Sequence, residues 1–235
     1  IFKLEIGWFE EVARACMVYI ILFAAEIGLR DHSQLNIDSL VRRLPPRAAG
    51  VMQGELLKDL WKKQSRILDW NGNGMLDYVL VEGEESHFDA IRRTSGFLET
   101  GAELPLNQKG NILAEWKREL AYEKFAALDD EAVQNVEAVI CNNDDMALGV
   151  VKALQEKDMK DQVMVVGVDF TEEAKAAIED GTYDATVAMS PYLMGREAVI
   201  MMLKALEGQE VTSIGDSTPM ALVNADNVAE MSDWH

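Results

Sequence analysis

Residues 69–93 read DWNGNGMLDYVLVEGEESHFDAIRR, and three kinds of chain follow one another in that string. Residues 69–77 alternate Asp, Asn and Gly, which is loop chemistry. Residues 76–82 (LDYVLVE) form a short apolar run of strand length, and from 87 to 100 the apolar residues recur at helical spacing. The same strand-then-helix unit repeats downstream. Strands are expected at 138–141 (AVIC), 163–168 (VMVVGV) and 185–188, with helices at 51–63, within 112–128, and at 144–156, 172–180 and 194–206. Gly181 closes the helix before it. Short apolar strands alternating with helices predict an α/β fold with a parallel sheet covered on both faces.

The loop itself has a metal-binding pattern. Counting Asp69 as position 1, oxygen side chains fall at positions 1, 3, 5 and 9 (Asp69, Asn71, Asn73, Asp77), and Gly74 occupies position 6, where a sharp turn is needed. Position 7, Met75, would contribute only its main-chain carbonyl. This donor set suits Ca2+, a hard cation that takes six to eight oxygens. Position 12 is Leu80 rather than a bidentate Glu, so a further carboxylate has to come from elsewhere. A plain Asn/Gly turn is the competing reading.

Polar residues gather where the strands end. His87, Asp89 and Arg93 follow the first strand, Asn142-Asn143-Asp144-Asp145 follow the second, and Asp169 ends the third. Open α/β sheets bind ligands outside the carboxyl ends of their strands. Carboxylates, amides and a guanidinium there suit vicinal hydroxyls of a sugar and supply no nucleophile. Asp89 and Asp144 could equally cap helices, and Asn143 could close a turn. Enzymatic use of His87 and Asp89 is disfavoured, because residues two apart on a helix point away from each other. No Ser or Cys nucleophile motif is present.

Charge divides the chain. Lys and Arg number 22 against 41 Asp and Glu, a formal net charge of −19, which argues against nucleic acid as a partner. Residues 1–50 hold six acids and six bases, so the whole excess lies downstream. Residues 12–29 (VARACMVYIILFAAEIGL) would reach about 27 Å as a helix, close to one bilayer core. Arg14 and Glu26 interrupt the run, so a membrane span and a buried core helix both remain open. Pro45-Pro46 are expected to stop any helix, with 47–50 as linker. Cys16 and Cys141 lie in apolar runs and form no zinc or redox pattern, so both read as reduced residues.

Two resemblances extend this reading. WFEEVARACMVYIILFAAEIGLRDHSQLNIDSLVRRLPPR (8–47) resembles the small membrane subunit of TRAP-type transporters, which implies a membrane helix over 12–29 and a first domain at 1–47. The strings GVMQGELL, DWNGNGMLDYVLVEGEESHFDAIRR, AVICNNDDMALGVVKAL, VVGVDFTEEAKAAIEDGTYDATV and VNADNVAE are similar to periplasmic glucose/galactose-binding proteins of the type I superfamily. That resemblance implies a Rossmann-like lobe over 48–235, including a fragment of a second lobe at about 190–218. It implies a galactose- or glucose-binding, non-enzymatic component of an ABC transporter, located outside the cytoplasm and partnered by transporter membrane subunits. Its sugar ligands carry over to His87, Asp89, Arg93, Asn143 and Asp169, with Trp116 stacking on the sugar. Its calcium site carries over to the 69–77 loop, completed by Glu137. Met189 departs from the family's pattern, which has a sugar-binding Asn there. The rest of the second lobe has no counterpart here, so weak sugar binding is expected. An anchored subunit of TRAP type, acting in assembly, is the alternative.

Overall fold

The computed structural model describes residues 45–129, 133–190, 220–231 and scattered positions between 192 and 209. The chain divides into two compact units, Pro46–Met189 with Met220–Trp234, and Ile1–Pro45 with Ser190–Pro219 and His235. In chain order the elements are α1 (Pro45–Leu68), β1 (Leu76–Glu82), α2 (Phe88–Gly101), β2 (Leu106–Leu113), α3 (Arg118–Ala126), β3 (Ala138–Cys141), α4 (Asp144–Glu156), β4 (Met164–Asp169), α5 (Glu172–Glu179), β5 (Ala185–Met189) and β6 (Met220–Asn224). The 3-10 turns Lys160–Gln162 and Val228–Met231 also lie among the described residues. The sheet order is β2-β1-β3-β4-β5-β6. All neighbours run parallel except the antiparallel pair β5–β6.

β1 shows why this sequence makes a two-sided sheet. Successive side chains of a strand point to opposite faces. Leu76, Tyr78 and Leu80 enter one core, with Leu56, Leu57 and Phe97 of α1 and α2. Val79 and Val81 enter the other, with Phe125, Val150, Leu154 and Ile178 of α3, α4 and α5. Both faces are therefore apolar, and each large side chain fully removed from water contributes about 1.5–3 kcal/mol.

Three sequence expectations need correction. Pro45-Pro46 do not end a helix and 47–50 are not linker: α1 begins at Pro45. Proline suits the first turn of a helix, whose N–H groups have no intrahelical partner in any case. β2 (LNQKGNIL) was not expected, and its last two residues fall in the stretch 112–128 expected to hold a helix; of its eight residues only Ile112 is buried. β6 was also missed; it pairs antiparallel with β5, Ala185 opposite Asn224 and Met189 opposite Met220. The other strands match their expected positions to within a residue at each end. The apolar run 12–29 and Cys16 lie outside the described residues. Among the described residues no helix is long and apolar enough to cross a membrane. Cys141 is a free, buried thiol whose pKa burial pushes well up. In the other unit, Tyr192, Val199 and Leu203 are exposed.

Candidate functional site

The chain runs from β1 to β2 on one side and then to β3 on the other. The carboxyl ends of β1 and β3 therefore flank the point where strand order reverses, the place where such sheets bind ligands. Five of the six candidate ligands are tied into one network there.

Arg93, on α2, is buried, and its Nη1 lies 3.2 Å from Asp169 Oδ1. The same Nη1 donates to the carbonyl of Asn142 at the end of β3. Its guanidinium carbon stands 5.8 Å from the centroid of the Trp116 ring. Trp116 meets the His87 ring edge to face at 5.0 Å. Glu115 and Trp116 both have left-handed backbone, φ 51° and 63°. Gly83, at the end of β1, makes room for the indole: a Cβ there would fall 2.2 Å from Trp116.

Asp169 ends β4 with φ 120°, and Phe170 follows at 64°. Strained backbone at consecutive non-glycine residues concentrates at binding sites. Burial raises the Asp169 pKa while Arg93 pulls it back down, although the side chain keeps 37% of its exposure. The Asp89 charge adds to the rise, which places that carboxylate within electrostatic reach.

Two candidates double as helix caps. His87 caps α2, its Nδ1 accepting from the Asp89 amide at 3.2 Å. Asn143 caps α4, its Oδ1 accepting from the Met146 amide at 3.0 Å. The cap leaves the Asn143 amide nitrogen, a donor, for a ligand. What the rim offers is thus a guanidinium, carboxylates, amide and imidazole groups, and one indole ring. Two open grooves lie elsewhere, at the amino-terminal edge of the sheet, around Trp70, Leu60 and Met164.

The 69–77 loop lies at that opposite edge. Gly72 and Gly74 take φ 70° and 76°, open to them without strain. Asp69 Oδ2 accepts from the Gly74 amide at 3.0 Å. Asn71 and Asn73 accept from the amides of Asn73 and Met75 at 3.0 and 2.7 Å. Both Asn amide nitrogens reach Asp77 Oδ2, at 3.1 and 3.0 Å. Glu137 Oε2 accepts from the Asp77 amide at 3.0 Å and Oε1 from the Asn71 amide at 3.4 Å. Asp77 and Glu137 are almost fully buried, and Asp69 Oδ1 is buried with no hydrogen-bond partner. Among the described residues no three His, Cys, Asp or Glu side chains are gathered closely enough to cage an ion by themselves. This loop's donor set differs, since it also counts two amide oxygens and the Met75 carbonyl. The orphaned Asp69 oxygen and the oxygen-rich donor set fit Ca2+. Rotating each Asn amide by half a turn exchanges its nitrogen for its oxygen at the same place.

Several partners were not visible in the sequence. Asn107 of β2 donates to Asp77 Oδ1, because register puts the two residues opposite each other. Asn142 Oδ1 accepts from the Gly83 amide at 3.2 Å, and its Nδ2 donates to Thr94 Oγ1 at 3.2 Å, joining β1, β3 and α2. Asp144 is fully buried and accepts from Tyr183 Oη, Thr186 Oγ1 and the Thr171 amide at 2.9, 2.6 and 2.9 Å. Burial first, then the nearby Asp169 charge, raise its pKa to about 7, against those three donors. A helix-capping reading of Asp144 could not have shown this, because its partners lie 27 to 42 residues away.

Residues 44–210 match the model of the periplasmic binding protein domain, and residues 1–53 match that of the DctQ component of tripartite ATP-independent periplasmic transporters. The D-galactose/methyl-galactoside binding periplasmic protein of Haemophilus influenzae is 31% identical over 175 residues, 71% of this chain and 50% of that protein. The ribose import binding protein of Salmonella typhimurium is 43% identical over 77 residues, 33% of this chain and 26% of that protein. A solute binding protein of an ABC transporter from Bacillus halodurans, solved with bound myo-inositol, superposes with a TM-score of 0.64 at 27% identity, covering 80% of this chain and 61% of that one. This chain spans 50% of the length of that galactoside-binding relative and 53% of the D-allose-binding periplasmic protein of Escherichia coli.

Proposed function

The chain belongs to the periplasmic binding protein domain family, and from that premise we propose that it is the sugar-recognising component of an ABC transporter, working outside the cytoplasm. The observation that carries this is the Arg93 constellation. One guanidinium, backed by the Asp169 carboxylate at 3.2 Å, lies under Trp116 at the carboxyl end of the sheet. Arg93, Asp169, Asp89 and Asn143 would bind sugar hydroxyls, while Trp116, braced by His87, would stack on the apolar face of the ring. No group in this set is placed as a nucleophile with its base, and the curated relatives are named as binding proteins. Binding rather than chemistry is therefore the reading.

The preferred ligand is a neutral pyranose, galactose or glucose. These residues form one face of a clamp. Each sugar hydrogen bond made by an opposing face is worth about 1 kcal/mol, so several together are worth a thousandfold or more in affinity. The contacts of this face alone would accordingly bind sugar weakly. Calorimetry with galactose, glucose, ribose and myo-inositol tests this: weak binding that favours galactose or glucose is the expected result. Submicromolar affinity would contradict the one-faced clamp, and a preference for ribose or myo-inositol would contradict the specificity.

We further propose that Asp69, Asn71, Asn73, the Met75 carbonyl, Asp77 and Glu137 hold Ca2+. When bound, the ion would neutralise carboxylates that now face one another. The role would be structural, fastening the loop before β1 to the turn before β3.

A further inference from the structure

The helix contact beneath the rim is unusually close. A Cβ on Gly50 would fall 1.9 Å from the Arg93 carbonyl oxygen, and one on Gly96 2.2 Å from the Arg47 carbonyl oxygen. α1 and α2 therefore meet backbone to backbone, and one side chain of α1, Gln53, is driven fully into the protein. Its Nε2 faces three main-chain carbonyls: Cys141 at 2.9 Å, Gly167 at 3.1 Å and Val166 at 3.4 Å. The registered pairing of β3 with β4 ends at Ile140 opposite Val166. Cys141 and Gly167 are the next residue on each strand, so Gln53 fills the notch where the two central strands part. Two residues beyond Cys141 is Asn143, and two residues beyond Gly167 is Asp169. Gln53 Oε1 is buried with no hydrogen-bond partner. An apolar side chain of similar length would remove that unpaired oxygen but would also take the amide donor away from the Cys141 and Gly167 carbonyls.

We infer that Gln53 is a positioning residue of the rim, its amide setting the separation of the two strand ends that carry Asn143 and Asp169. It touches no ligand; it acts through the carbonyls of residues 141 and 167. The consequence for sugar rests on the function proposed above, but the placement of the strand ends does not. The test is amide hydrogen exchange on the full chain, comparing wild type, Gln53→Met and Val150→Ala, a buried change on α4 away from the notch. In Gln53→Met, exchange at 141–146 and 167–171 should rise about tenfold beyond its rise in Val150→Ala, as the loss of a buried hydrogen bond predicts. An increase no larger than in Val150→Ala, or one spread evenly over the sheet, overturns the inference. If Gln53→Met does not fold, the wild-type protein still decides. The Gln53 side-chain amide protons should exchange far more slowly than those of an exposed Gln such as Gln134; equal rates overturn the inference. Where wild type responds to galactose, Gln53→Met should weaken that response about tenfold, and an unchanged response overturns the inference. A wild type that responds to no sugar contradicts the sugar reading alone, and the exchange rates still decide the role of Gln53.

Discussion

The Asp77 amide donates to Glu137 Oε2 at 3.0 Å across 60 residues, joining the loop before β1 to the turn before β3. Position 12 of the loop offers no carboxylate, and in the proposed calcium site Glu137 would supply it. If the loop holds Ca2+, calcium at a hundred times its dissociation constant should stabilise the protein by about 2.7 kcal/mol. That corresponds to roughly 5–10 °C in melting temperature for a chain of this size. Glu137→Gln should remove most of the difference between calcium and chelator, and an unchanged melt in chelator would count against the site.

Arg93 offers a second check, on stability. Arg93→Met leaves the Asn142 carbonyl without its donor and Asp169 without its partner. Breaking a fully buried pair costs about 3–5 kcal/mol, but Asp169 retains 37% exposure and water screens part of the loss. The expected cost is about 1–3 kcal/mol in urea unfolding, together with loss of any sugar response. A variant as stable as wild type would show that the network does not hold the rim together.

The glycines of the α1–α2 contact are more sensitive still. Gly50→Ala sets a methyl against the Arg93 main chain, which cannot swing aside as a side chain can. Overpacking of this kind costs about 1–3 kcal/mol and occasionally more. Gly54→Ala meets Thr100 Cβ at the longer distance of 2.7 Å, against 1.9 Å at Gly50, and should cost less. Urea melts of the two variants give the order, and the reverse order would contradict the close crossing.

Asp144 predicts a pH dependence. Its folded pKa of about 7 lies above its ordinary 3.8, so the folded state holds this proton more tightly than the unfolded chain. The resulting stability is fully present below about pH 4 and is lost as pH rises towards 7. Asp169, also raised, acts in the same direction. Asp144→Asn removes the Asp144 contribution. Wild type should therefore lose stability relative to Asp144→Asn between about pH 4 and pH 7, as read by thermal melts. A constant difference across that range would show that Asp144 does not titrate there.

What the sequence disclosed followed from local chemistry. Leu76–Glu82 and Ala138–Cys141 are apolar runs between polar stretches, and both strands stand where periodicity puts them. β2 was invisible because it is an edge strand with one buried residue, which leaves no alternation to read. The first turn of α1 was misread because two prolines signal a break everywhere except at a helix start. His87, Asp89, Arg93, Asn143 and Asp169 were visible as polar residues at strand ends, whereas Trp116 was a candidate through the family resemblance alone. The connections among them were not visible. The Arg93–Asp169 pair, the carbonyls facing Gln53 and the donors around Asp144 join residues tens of positions apart, and only the folded chain brings them together.

The central claim is that the carboxyl rim of the sheet takes a monosaccharide. An NMR titration of the labelled chain with galactose tests it most directly. Saturable shifts should centre on the Trp116 indole and on the amides of His87, Asn143 and Asp169, and they should be absent in Arg93→Met. Shifts confined to other surfaces, or no shifts at any attainable galactose concentration, would contradict it.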